Sequence, residues 1–195
     1  MTILAWIVTS LLLVTSVGIL VSRDWRVGLG FLGVQYLGVF WLTSLHWPVS
    51  MAAIKLVTGW MAIATLGITR LNIKEESESN QTLPEGRLFR IFTAGIVTIS
   101  VITAAPTVED IIPGIGMTVI SGSLILMGVG MLQLGMTVQP FRVILGLLTV
   151  LSGFEALYAA LESSILVAAM LSTVNLGLAL VGAYLLTARK PEESV

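Results

Sequence analysis

Arg26-Val27-Gly28-Leu29-Gly30-Phe31-Leu32-Gly33-Val34 is the stretch that decides the fold, because the chain returns to it as Arg142-Val143-Ile144-Leu145-Gly146-Leu147-Leu148-Thr149-Val150. The arginine, both valines, two leucines and the central glycine recur in place. The register that lays Arg26 over Arg142 then holds without a gap. Leu45 falls on Leu161, Ala52-Ala53 falls on Ala168-Ala169, and both copies run to the end of an apolar helix, at Arg70 and near Leu186. A copy this long holds more than one helix. It contains an apolar segment, a short loop with an arginine, a second apolar segment, a small polar break and a third apolar segment, so the spacing predicts a duplicated three-helix unit.

Composition sets the class. With 56% hydrophobic and 11% charged residues, the chain has too little polar surface to cover a soluble globule, and its apolar runs match the thickness of a bilayer. An all-α polytopic membrane protein is expected, with the lipid bilayer as its surroundings. Cysteine is absent, which removes disulfides and thiolate metal sites. The formal net charge of -1 gives no reason to expect nucleic acid. The first apolar run lacks the basic start and small-residue cleavage site of a signal peptide and is read as retained.

In chain order, apolar length predicts seven spans, at roughly 3–22, 27–45, 49–70, 89–105, 115–137, 142–161 and 164–187. The fourth is cut short by Arg90 and by Pro106, and Thr107 to Gly114, with Glu109, Asp110 and Pro113, reads as a loop. The domains expected are a first repeat over 1–71, a polar cytoplasmic linker over 72–88, a linker helix with its outer loop over 89–114, and a second repeat over 115–195. Lys74-Glu75-Glu76-Ser77-Glu78-Ser79-Asn80 in the linker cannot bury itself.

Charge orients the spans. With the N-terminus outside, Arg23, Arg26, Arg70, Lys74, Arg87, Arg90, Arg142, Arg189 and Lys190 all fall on the inner side, while the outer loops carry His46, Glu109, Asp110 and Glu162. An odd number of spans places the C-terminus in the cytoplasm. Both trios then begin on the same side, so the repeats are expected to be parallel, related by an axis along the membrane normal.

Lys55 is the basic residue left over. It lies inside the third span, roughly 8 Å below the outer interface at ~1.5 Å per residue. One reading is that it snorkels outward along lipid. The other is a buried lysine with a partner, and Glu155 is the candidate: counted back from Leu161 it lies on the order of 9 Å deep in the sixth span. Opposite charges at one level in different repeats suggest an ion pair, or a proton-accepting site, at the junction between them. Gln35, Gln133, Thr173 and Asn175 are secondary polar candidates inside spans, where interhelical hydrogen bonding explains them more simply than an ion path does. His46 reads as an interfacial anchor, Trp6, Trp25, Trp41 and Trp47 as an aromatic belt with Trp60 the exception, and Glu162 as a solvated residue at a helix end.

Soluble-enzyme patterns are missing. There is no phosphate-cradling glycine loop followed by Lys and Ser or Thr, no histidine pair, and one histidine at the surface cannot make a Ser-His-Asp set. No catalytic residue, metal site or cofactor is expected, and the chain is not expected to be an enzyme by itself.

From Val129 to Lys190 the chain resembles the small three-helix subunit, the NuoK or MrpC type, of the complex I, membrane hydrogenase and Mrp antiporter superfamily. The matching features are the Gly-Leu-rich helix after a short basic loop, Arg142 to Leu148, and the helix end Gly177-Leu178-Ala179-Leu180. The whole chain is similar in layout to component E of hydrogenase-4 complexes, which also carries a lysine in an early helix, as in Ile54-Lys55-Leu56-Val57. The resemblance implies a non-catalytic subunit of a proton- or sodium-translocating complex in a prokaryotic inner (plasma) membrane, packed beside large antiporter-like subunits. In that family two intramembrane glutamates serve the proton path, and here they fall on Leu148 and near Thr173. Glu155, almost two turns beyond Leu148 and nearly on its face, stands in for them, or the subunit is a scaffold without ion carriage.

The plan of three helices, a linker helix and three helices is also similar to that of SWEET sugar transporters. Those place prolines within their helical bundles. Here Pro48, Pro84, Pro106, Pro113, Pro140 and Pro191 all sit at breaks between predicted spans. A free-standing small-solute carrier is therefore the alternative, and a pure membrane scaffold a third.

Overall fold

The computed structural model describes residues 2–72 and 86–188. They form α1 (Thr2–Val21), α2 (Trp25–Ser44), α3 (Val49–Asn72), α4 (Arg87–Ile111), α5 (Met117–Gly135), α6 (Pro140–Leu161) and α7 (Ile165–Ala188). Each of these seven is long and apolar enough to cross a membrane. Residues 73–85, which hold most of the expected linker with Lys74 and Pro84, lie outside the described residues, as do Arg189, Lys190 and Pro191.

Local chemistry explains the boundaries. Asp24 caps α2, its side chain accepting from the Arg26 amide at 2.8 Å, which satisfies one of the free N–H groups of the first turn. Pro140 opens α6, where its missing donor costs nothing. Gly114 and Gly116, at φ 97° and 90°, turn the chain between α4 and α5 in a conformation that side chains with a Cβ disfavour.

The fourth helix departs from expectation. Instead of stopping at Ala105, it runs through Pro106 to Ile111 and converts the anticipated loop, with Glu109 and Asp110, into two further turns. Proline inside a helix removes its own donor and crowds the carbonyl one turn back, and its ring here lies on the exposed face. Ala105 and Val108 on either side of it pack into a cluster with Ile115 and Val119, and that packing carries the helix past the proline. Arg90, expected to cut this helix short at its start, lies one turn inside it, buried, and donates from Nη1 to the Leu20 carbonyl at 3.1 Å. Arg142 of α6 donates to the Ser22 carbonyl at 2.7 Å. Both arginines thus converge on the C-terminal end of α1, where unpaired carbonyls and the helix dipole attract positive charge.

The helices pack in a connected ring of neighbours: α1 on α2, α4 and α5; α2 on α3 and α6; α3 on α7; α5 on α4 and α6; and α6 on α7. Arg70 lies over the Phe141 ring at 5.9 Å, so the end of α3 meets the start of α6. Arg26, Arg70, Arg90 and Arg142 therefore share one end of the bundle, here the arginine end. The opposite end carries Trp47.

Backbone contact is closest between α5 and α6. A Cβ built on Gly153 would lie 2.6 Å from the Ser123 carbonyl and 2.9 Å from the Met127 amide, and one on Gly130 would lie 2.9 Å from the Val150 amide. Small residues here let two helices touch along their backbones. Gly177 has nothing within 4 Å. Gly153→Ala is therefore expected to cost about 1–3 kcal/mol through overpacking, whereas Gly177→Ala is expected to be neutral or stabilising by up to about 1 kcal/mol, as for Ala over Gly in a helix interior. Denaturant unfolding in mild detergent measures both, and equal effects at the two positions would refute the close-approach account.

Candidate functional site

Lys55 on α3 and Glu155 on α6 point at each other across the bundle. Lys55 Nζ donates to Glu155 Oε1 at 2.7 Å, and both residues are 2% exposed. Each lies about 9 Å in from the Trp47 end at ~1.5 Å per residue. Lys55 does not snorkel: its ammonium is held inward.

Why the two meet follows from the helix faces. Lys55 shares its stripe of α3 with Met51, Ala52, Gly59, Ala62 and Leu66, the buried positions of a helix that is otherwise half-buried or exposed. On α6, Ile144 meets Gly182 of α7, and Glu155, three turns further along, lies on the same stripe. These stripes line the space enclosed by α2, α3, α6 and α7.

A second polar contact sits one turn closer to the middle. Tyr36 of α2 donates from its hydroxyl to Asn175 Oδ1 of α7 at 2.9 Å, both residues being buried. Ser152, buried on α6 one turn before Glu155, donates to the Leu148 carbonyl of its own helix at 2.6 Å. Gly59 makes room for the ring: a Cβ there would lie 2.5 Å from Tyr36 Cδ1. The Lys55–Glu155 and Tyr36–Asn175 contacts, about one turn apart, make up a buried polar cluster drawn from α2, α3, α6 and α7.

Apolar layers close the cluster on both sides. Towards the Trp47 end lie Trp47, Met51, Ala159 and Ala168. Met51 is one turn from Lys55 and Ala159 one turn from Glu155. Trp47 fastens this layer by donating its indole N–H to the Glu162 carbonyl at 2.8 Å, joining the α2–α3 turn to the α6–α7 turn. Towards the arginine end, Leu32, Ala62, Leu66, Ile144, Leu145, Leu148 and Ala179 fill the interior. Apolar side chains therefore separate the ion pair from both ends of the bundle. The pair's Coulomb attraction is large because water is excluded, and so is the desolvation cost of each member.

The remaining candidates separate. Gln35 is fully buried on α2, and neither amide atom finds a hydrogen-bond partner among the described residues. Gln133 donates from Nε2 to the Arg142 carbonyl at 2.8 Å, clamping the short turn between α5 and α6 at the arginine end, away from the cluster. Thr173 is exposed and donates to the Ala169 carbonyl of its own helix at 2.9 Å, so it links no helices. Asn175 joins the cluster.

Tyr36 and Trp47 are the residues that sequence reasoning missed. Trp47 was assigned to an interfacial belt but is 3% exposed, and Glu162 offers its backbone carbonyl to it as well as a solvated side chain. The signal for Tyr36 was its position in mid-span, where a phenol needs a partner that an interfacial tyrosine finds in water. Among the described residues no group of His, Cys, Asp and Glu has the makings of a metal site.

Breaking a buried pair leaves one charge stranded, whereas removing both members leaves none. Lys55→Met alone and Glu155→Gln alone are each expected to destabilise by about 3–5 kcal/mol, and Lys55→Met with Glu155→Leu to recover most of that loss. Unfolding of the purified protein in detergent gives the cycle. A double variant as unstable as the two losses added together would show the charges are uncoupled. Trp47→Phe, which keeps the ring and removes the donor, is expected to cost about 1 kcal/mol in the same assay.

No family model, curated protein or solved structure matches this chain.

Proposed function

We propose that the chain is a multi-pass subunit of an ion-translocating membrane complex, with the Lys55–Glu155 pair as its charge-bearing centre. The observation that carries this reading is the 2.7 Å pair at 2% exposure, enclosed between apolar layers and spanning α3 and α6. An ionisable pair costs too much in such surroundings to persist as filler, and intramembrane charges mark ion or proton pathways by default. Enclosure favours a subunit over a carrier. A lone transporter needs access to its site from both sides in turn, whereas a subunit can respond to charge moving in a neighbour. The neighbours the resemblance implies are large antiporter-like subunits, and the membrane it implies is a prokaryotic plasma membrane; the placement of the basic residues supports an N-terminus outside and a C-terminus in the cytoplasm.

The architecture under this proposal is two parallel copies of a three-helix unit joined by α4. Several contacts support it. The pairs α1–α2 and α2–α3 are matched by α5–α6 and α6–α7, and each helix packs on its own counterpart, α1 on α5, α2 on α6 and α3 on α7. The bounds Val49–Asn72 of α3, moved by the register that lays Arg26 over Arg142, become the bounds Ile165–Ala188 of α7. Leu66 touches Gly182, its own counterpart. In that register Lys55 corresponds to Leu171 and Glu155 to Val39, so the polar cluster was set into one side of a duplicated scaffold.

Glu155→Gln, made in the host and purified through a tag in mild detergent, tests the proposal. The wild-type chain is expected to co-purify with large membrane subunits, and the variant to retain them while ion translocation by the complex falls at least tenfold. Purification of the chain alone, or full translocation by an assembled Glu155→Gln complex, would overturn it.

A further inference from the structure

The polar cluster uses one face of α2. Gln35, the next residue along from Tyr36, lies on another. Gly28 of α2 is against Leu145 of α6, and Gly38 is against Leu12 of α1. Gln35, two turns from Gly28 and one from Gly38, falls between those directions and so faces the core enclosed by α1, α2, α5 and α6. This is a different compartment from the one that holds Lys55.

That core is layered. On one side of the Gln35 level lie Leu12, Val39 and Ala156. On the other lie Ile19, Leu32 and Leu148. Between them the same helices carry Thr15, Ser16, Gln35, Thr149 and Ser152, and α5 adds Ser123, whose carbonyl abuts Gly153; all six are buried. Thr15 donates to Leu12, Ser16 to Leu13, Thr149 to Leu145 and Ser152 to Leu148, each to a carbonyl of its own helix. Their hydroxyl protons are spent, and their remaining lone pairs only accept. The Ser123 hydroxyl and both atoms of the Gln35 amide have no hydrogen-bond partner among the described residues.

We propose that Gln35 is the centre of an internal water-binding site in the four-helix core, level with Ser152. Buried polar groups are almost always hydrogen-bonded, to protein or to an ordered water held by several polar partners. The chemistry selects water over a cation. A cation satisfies only the amide oxygen and leaves the amide N–H groups stranded, whereas water accepts from the nitrogen and donates to the oxygen. The neighbouring hydroxyls, with lone pairs to offer, suit a water's protons equally well.

Water-edited NMR on the full-length protein in lipid vesicles, labelled with ¹⁵N-glutamine, tests this. Gln35 precedes Tyr36 in the only Gln-Tyr dipeptide of the chain, so pairwise labelling or a Gln35→Leu variant identifies its signal. The expected result is magnetisation transfer from water to the Gln35 side-chain amide despite its complete burial. Silence at Gln35 while the other glutamines respond would overturn the proposal. A sodium-dependent shift of the Gln35 signal would overturn it in favour of a cation. The readout is independent of ion translocation, so it stands or falls apart from the functional reading above.

Discussion

A lysine and a glutamate that have given up their water must find each other, and much of the bundle is arranged so that they do. Neither charge is tolerable alone in surroundings this apolar, and together they are tolerable only in close contact. The 2.7 Å approach of Lys55 to Glu155 fixes the rotation of α3 against α6, helices that are not otherwise principal neighbours. Helix α7 is then placed by its contact with α3 and by Asn175, which meets Tyr36 from α2. Trp47 and Met51 close the compartment from one end and the leucine-rich layer from the other, which keeps the dielectric low and the pair tight.

The two halves of the bundle reach cohesion by different means. Between α5 and α6, Gly130, Gly146 and Gly153 bring the backbones together. Between α1 and α2, side chains fill the corresponding space: Phe31 lies over Gly18, and Leu12 over Gly38. The tighter pair carries Glu155. A rigid α5–α6 unit is a suitable mount for a charge whose position matters, because small backbone displacements would open a contact of this length. Helix α4 stands apart from this scheme. It leans on α5 and α1, anchored at one end by Arg90 and at the other by Ala105 and Val108, and leaves most of its surface exposed.

Apolar length and arginine placement made the seven helices and most of their ends legible, since both depend on residues close together in the chain. Pro106 misled because the rule that proline ends a helix is local, while the packing of Ala105 and Val108 that overrides it is not. Trp47 misled for a similar reason. Tryptophan at a span end ordinarily marks an interface, and nothing nearby in sequence reveals that a carbonyl from the α6–α7 turn waits for its indole.

The sequence by itself determined how deep each polar residue lies, and the tertiary structure alone decided which way it faces. Depth is counted along a helix axis, so an error of one residue in a boundary moves a side chain by only about 1.5 Å, and Lys55 and Glu155 were placed at one level by arithmetic. Facing direction is another matter, since the same error turns a side chain by about 100° around the axis. Gln35 and Tyr36 show the consequence: adjacent in sequence and nearly equal in depth, they look into different compartments, one with a partner on α7 and the other with none among the described residues. Only the packing of all the helices at once sets those rotations.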